Sequence, residues 1–134
     1  MVVLSNTTEQ TLQPGQSIAF DRIVTASGCG ECARSGGPLG LRAENALYRI
    51  TFNGNITSAT AAEPIELSIE NGGAPLSETE MIYTPAAANA VGNVSANTYL
   101  RTCCGLSNQI TVTNTGLNPV IVSPNSALTS IRVG

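Results

Sequence analysis

Four cysteines are the residues of this chain with the widest chemical scope. Cys29-Gly30-Glu31-Cys32 is a C-x-x-C, and Cys103-Cys104 is a vicinal pair. Four thiolates suit a tetrahedral zinc ion. Adjacent residues on a strand point to opposite faces, so Cys103 and Cys104 reach one metal only from a turn. Gly105 allows that turn, but a zinc ribbon carries two C-x-x-C pairs and this chain has one. A redox C-x-x-C needs a helix N-terminus to lower its thiol pKa, and Gly28 to Gly40 does not read as strand then helix. Disulfides are a further reading, with three intramolecular pairings open to four cysteines. Free or buried structural thiols rank first, disulfides second, and a zinc set of Cys29, Cys32, Cys103 and Cys104 last. The redox compartment decides among them. No metal and no cofactor is expected.

The carboxylates offer less. Glu66 and Glu70, and Glu78 and Glu80, are spaced so that each pair shares a strand face. Glycosidase chemistry wants two carboxyls across a cleft with separated pKa values, and nothing in the sequence marks a cleft. Their simpler role is to keep a neutral surface soluble. The chain has no histidine, which removes Ser-His-Asp and Cys-His arrangements. Ser35-Gly36-Gly37-Pro38 lacks the Lys and Ser/Thr of a phosphate loop. Three N-x-S/T triplets, at Asn6, Asn55 and Asn93, are what chance gives in a chain rich in these residues. The expectation is a protein that is not an enzyme.

The elements that carry these residues read as strands. Tyr48, Ile50 and Phe52 alternate with Arg49 and Thr51; Ile65, Leu67 and Ile69 with Glu66 and Ser68; Ile110 and Val112 with Thr111 and Thr113. Period two with one polar face marks half-buried antiparallel strands. Further runs lie at 2–4, 17–24, 80–83, 98–102, 119–122 and 128–133. Turn signals separate them: Pro14-Gly15, Asn53-Gly54-Asn55, Asn71-Gly72-Gly73, Asn114-Thr115-Gly116 and Pro124-Asn125. The one helix-like stretch, from Pro85 to Ala90, is too short to stand alone. The fold class that follows is all-β: an antiparallel β-sandwich, jelly-roll-like, of eight or nine short strands. Residues 1–134 read as one domain, with 1–12 as an anchoring arm and 28–40 as a Gly/Cys-rich loop.

Composition narrows the function. Only 11% of the 134 residues are charged, all six basic residues are arginine, and the net charge is −3. No basic cluster exists for nucleic-acid phosphates, and no apolar run approaches a membrane helix. Residues 1–20 lack a basic segment followed by an apolar one, so synthesis in the cytoplasm without a signal peptide is expected. A surface of Ser, Thr and Asn is cheap to desolvate against neighbouring copies.

The segment Leu47-Tyr48-Arg49-Ile50-Thr51-Phe52-Asn53-Gly54-Asn55-Ile56-Thr57 resembles a strand of the trimeric jelly rolls of the tumour-necrosis-factor-like and complement-type globular heads. The strand rhythm from Ile65 through Leu100-Arg101-Thr102-Cys103-Cys104 and Ile110-Thr111-Val112 to Ile131-Arg132-Val133 is similar to small bacterial domains of spore-surface and phage virion proteins. The resemblance spans about residues 45–134. A Gly-X-Y stalk, which spore-surface proteins of this kind carry, is missing from the sequence. The resemblance implies a homotrimer and a structural subunit on a virion or particle surface, a capsid-decoration or fibre-type protein docked on a larger protein shell. The alternatives are a carbohydrate- or receptor-binding module, for which Tyr83 and Tyr99 are the candidate stacking rings, or a spore-surface structural protein.

Overall fold

A computed structural model describes residues 1–27, 31–32, 38–41, 43, 45–102 and 108–134, with 31–32 described by backbone alone. The strands in chain order are β1 (Val2–Ser5), β2 (Gln10–Leu12), β3 (Arg22–Ala26), β4 (Glu31–Cys32), β5 (Leu39–Leu41), β6 (Leu47–Thr57) and β7 (Ile65–Asn71). They continue with β8 (Ala74–Pro75), β9 (Met81–Tyr83), β10 (Gly92–Arg101), β11 (Asn108–Asn114), β12 (Val120–Val122) and β13 (Ala127–Arg132). A 3-10 turn, Ser77–Thr79, is the one helical element among the described residues. Each of the nine anticipated runs holds a strand; β2, β4, β5 and β8 are additions.

Two antiparallel sheets stack into a sandwich. The larger runs β2–β12–β6–β13–β1–β3, with β10 along the free flank of β6. Because β6 is long, its other flank is shared: Tyr48 to Asn53 pair with β13, and Ile56 and Thr57 pair with β12. The smaller sheet runs β4–β5–β11–β7–β8, with β9 also on β7. The period-two pattern does what it predicts. Tyr48, Ile50, Phe52 and Ile56 from the larger sheet meet Ile65, Leu67, Ile69, Ile110 and Val112 from the smaller in one fully buried cluster. A Phe or Leu in such a position stabilises by about 1.5–3 kcal/mol through area alone.

Several polar groups inside the sandwich are tied individually. Asn6, fully buried, donates its amide to the Thr8 and Ser123 carbonyls and accepts from the Ser126 N–H. Asn114 does the same for another corner, donating to the Leu12 and Asn118 carbonyls and accepting from the Gly116 N–H. The buried hydroxyls of Thr79 and Thr102 each accept one backbone N–H and donate to carbonyls where the ladder is interrupted. Buried polar atoms without such partners would cost about 1–3 kcal/mol each.

Four expectations are corrected. Residues 1–12 are not a detachable arm: β1 lies between β13 and β3, β2 pairs with β12, and Val2, Leu4 and Leu12 are buried in the core. The 28–40 segment is not wholly a loop, since β4 and β5 join the smaller sheet and Leu39 is buried. Within 17–24, only Arg22 onward is strand; Ser17 makes a single bridge to Thr113. Asn53-Gly54-Asn55 is not a turn but the middle of β6. Gly54 points into the core, where a Cβ would lie 2.6 Å from Ser126 Oγ and 2.9 Å from the Phe52 ring. Asn53 and Asn55 point outward, and the Asn93 amide on β10 donates to both their side-chain oxygens. By contrast, Gly72 and Gly73 do form a two-residue hairpin between β7 and β8, both with positive φ as a type I′ turn requires.

Candidate functional site

The chemistry-bearing residues fall into different places. Cys29, Cys103 and Cys104 lie outside the described residues, and Cys32 is placed on β4 by its backbone alone. Among the described residues no cluster of three metal-ligating side chains occurs.

Of the two carboxylate pairs read from spacing, one shares a strand face and the other does not, since Glu78 lies on the 3-10 turn and Glu80 just after it. Glu66 and Glu70 share the outer face of β7, but Glu66 turns to Glu80 across the strands. Their carboxyls hydrogen-bond one another, and this contact, together with charge repulsion, holds the Glu80 carboxyl above the usual carboxylate range. Glu66 also accepts the Thr115 hydroxyl at 2.6 Å. Glu78 accepts the Thr98 hydroxyl from β10 at 3.0 Å, at the seam where the two sheets meet. At another margin, Asp21 accepts the Thr7 hydroxyl and N–H, which holds its carboxyl below its ordinary range.

The outer face of the smaller sheet is therefore a closed polar surface. Thr115 contacts Ser68 Oγ at 2.9 Å as well as Glu66, and Thr113 contacts Ser17 Oγ at 2.7 Å and Thr111 Oγ1 at 3.3 Å. A shallow depression of about 570 Å³, bordered by Gly15, Glu70, Gly73 and Pro75, sits over these hydroxyls. At the margin of this sheet Ile82 and Leu117 are exposed, Leu117 by 92%.

The outer face of the larger sheet is different. Strand register sets Tyr99 of β10 and Ile131 of β13 on either side of Arg49 of β6. The next row is Asn97, Thr51, Thr129 and Val3, with Thr51 donating to Asn97 at 3.1 Å. Arg49 is exposed, and Tyr99 is 57% exposed. The two stacking candidates thus part company. Tyr83 lies against Gly92, with no room for a Cβ between them, and donates its hydroxyl to the Ala90 carbonyl. Of the five aromatic residues, Tyr99 alone presents a ring to solvent. Of the triplet asparagines, Asn6 is buried, while Asn55 and Asn93 are bonded to each other. Sequence reasoning did not single out Arg49. Its signal was alternation: an arginine between inward Tyr48 and Ile50 must point outward.

No family profile and no curated protein sequence matches this chain. The fold has solved counterparts. Eiger TNF from S. frugiperda superposes with a TM-score of 0.78 at 9% identity, covering 99% of this chain and 91% of that one. Murine APRIL at pH 5.0 gives 0.67 at 16% identity, with 98% of each chain covered. The PRD1 vertex protein P5 gives 0.51 at 19% identity, covering 99% and 97%. The chain has a tumour-necrosis-factor-like jelly-roll fold. The resemblance read from the strand rhythm is thus borne out at the level of fold, and it extends over the N-terminal residues that the sequence reading had left outside it.

Proposed function

We propose that this chain is a non-enzymatic structural subunit, a homotrimeric jelly roll displayed on a larger protein shell at a virion surface. One observation carries the reading: the outer face of the larger sheet leaves Tyr99 and Arg49 open to solvent in its central row. Tyr99, Ile131 and Val3 stand on it among Thr and Asn, side chains that lose little on desolvation. An exposed aromatic ring beside an arginine, with Thr and Asn around them, has the composition that protein contact surfaces favour. The shared fold with a vertex protein, and a sequence without histidine, support the structural role.

Native mass spectrometry of the full chain tests the trimer. A species at three times 13.8 kDa is expected, and a monomer at all concentrations would overturn it. Immunogold labelling of particles sedimented from the source culture tests the display role. Label confined to the soluble fraction would overturn that part.

Exposed Tyr99 favours a second reading, a carbohydrate- or receptor-binding module, since a sugar ring stacks on an open aromatic face. Glycan-array binding that is lost in Tyr99→Ala would select it over the first.

A further inference from the structure

The flanks at which the two sheets end are not equally guarded. A sheet edge carries a row of unpaired backbone N–H and C=O groups, which is a template for another strand. The flank of β2 is covered, because the Gln10 side chain bonds both the N–H and the carbonyl of Ala19. The strands β4 and β8 are two residues long, and β8 contains Pro75. The strand β9 is three residues long. Along β10 the Tyr83 ring lies against Gly92, and Thr98 donates to Glu78.

The strand β3 is longer and less covered. Arg22-Ile23-Val24-Thr25-Ala26 ends the larger sheet, pairing with β1 and with no other described strand. Three of its five residues are β-branched, one is charged, and none is proline or glycine, a composition suited to strand addition. Ile23 and Val24 are 42% and 50% exposed, whereas Ile50 and Val112 are fully buried. The register with β1 passes over Val24. A bulge of this kind twists an edge but adds neither charge nor proline to it. Beyond the bulge, Met1 and Ser27 exchange backbone hydrogen bonds. Ala26, next along, therefore turns its N–H and C=O to the free flank.

We infer that β3 is an assembly edge, where two copies of this chain pair β3 with β3 antiparallel about a twofold axis near Val24 and join their larger sheets into one. The occupant is an extended strand because a strand offers N–H and C=O groups at ladder spacing. A second copy fits because the segment is complementary to itself. With the axis at Val24, each Val24 lies beside its counterpart, Ile23 beside Thr25 and Arg22 beside Ala26, so that β-branched residues meet. The two arginines then stand roughly 13 Å apart along the ladder, beyond the screening length of about 8 Å at physiological ionic strength. A twofold contact of this kind closes on itself. It does not depend on the trimer reading above, and adds to it a way for trimers to link edge to edge.

The experiment is hydrogen–deuterium exchange read by mass spectrometry on the full chain at several concentrations, with analytical ultracentrifugation of the same samples. It compares the unaltered protein with Val24→Lys, Ile23→Lys and, as a control on an exposed residue elsewhere, Leu117→Lys. Lysine is a residue that native edges use against pairing, and unchanged circular dichroism checks that each variant folds. In the unaltered chain, protection of the 22–26 amides is expected to rise with concentration alongside species holding an even number of chains. Val24→Lys and Ile23→Lys are each expected to weaken that association by about tenfold or more, and Leu117→Lys to leave it unchanged. Where a lysine variant fails to fold, the exchange of the unaltered chain decides. Trimers alone, with exchange at 22–26 independent of concentration, would overturn the pairing and leave the trimer reading intact. Even-numbered species that persist with full protection in both lysine variants would also overturn it. Dimers without trimers would support the pairing and overturn the trimer. Protection that arises only when sedimented particles are added would assign the edge to another protein's strand and overturn the second copy as its occupant.

Discussion

The two sheets share one core and differ on their outer faces. Inward, both obey the same alternation, and Phe52 and Leu67 are equally buried. Outward, the smaller sheet is acidic and laced with its own hydrogen bonds, running through Glu66, Thr115 and Ser68 and through Ser17 and Thr113. The larger sheet is basic where it is charged, and its central row of Tyr99, Arg49 and Ile131 is open. A face whose polar groups satisfy one another gains little from a partner. A face that leaves an arginine and an aromatic ring in solvent gains more. The difference is what the proposed contact reading rests on.

The comparison can be broken at several strengths. Deleting residues 1–12 removes β1 from the interior of the larger sheet and β2 from its margin. Loss of the cooperative β-sheet transition in circular dichroism is expected, and a truncated chain that melted normally would show that the larger sheet tolerates an open gap. Truncating the shared core comes next. Phe52→Ala and Leu67→Ala are expected to cost about 3–5 and 2–5 kcal/mol in denaturant titrations; a large inequality between them would mean that the sheets do not share one cooperative core. Asn114→Ala strands three backbone groups, one buried and two part-buried, and is expected to cost about 1–3 kcal/mol. The outer faces give the sharper contrast. Thr115→Val breaks the closed network and is expected to cost about 1 kcal/mol. Tyr99→Ser is expected to leave monomer stability within about 0.5 kcal/mol and to show its effect in association instead. If Tyr99→Ser destabilised the monomer more than Thr115→Val, the open face would be the wrong one.

The pH response is the smallest effect, and its two terms oppose. Asp21 has a lowered pKa, so its contribution is present above the ordinary aspartate value and is lost as pH falls through the lowered one. Glu80 has a raised pKa, so the fold is relieved of repulsion below the ordinary glutamate value of about 4.3 and loses that relief as pH rises through the raised one. Asp21→Asn should flatten the acid limb of a stability–pH curve, and Glu80→Gln should remove the decline just above it.

Much of this was legible in the sequence, for a physical reason. Strand side chains alternate with a strict period of two, so Tyr48, Ile50 and Phe52 identify their own face. The first half of β10 escaped notice because Gly92, Val94 and Ala96 are too small to stand out against Asn93, Ser95 and Asn97. The Asn53-Gly54-Asn55 triplet misled because Gly and Asn signal a turn only when nothing else needs them. Here Gly54 makes room for Ser126, more than seventy positions along the chain. Charge sorting could not be read at all. It depends on which sheet each strand joins, and that choice also sent Glu66 to Glu80 rather than to its sequence neighbour Glu70.

The place of β1 between β3 and β13 also has a bearing on how the molecule is made. Val2 to Ser5 find their partners at Ala127 to Ser130, and β6 is flanked by strands that follow it in the chain. During synthesis β1 can pair with β3 soon after both are made, but its other flank waits for β13 before the larger sheet can close. Pairing of such long range is slow to form. The nascent chain therefore leaves one flank of a hydrophobic β-strand open until β13 has been made, and its hazard is aggregation before the sheet closes.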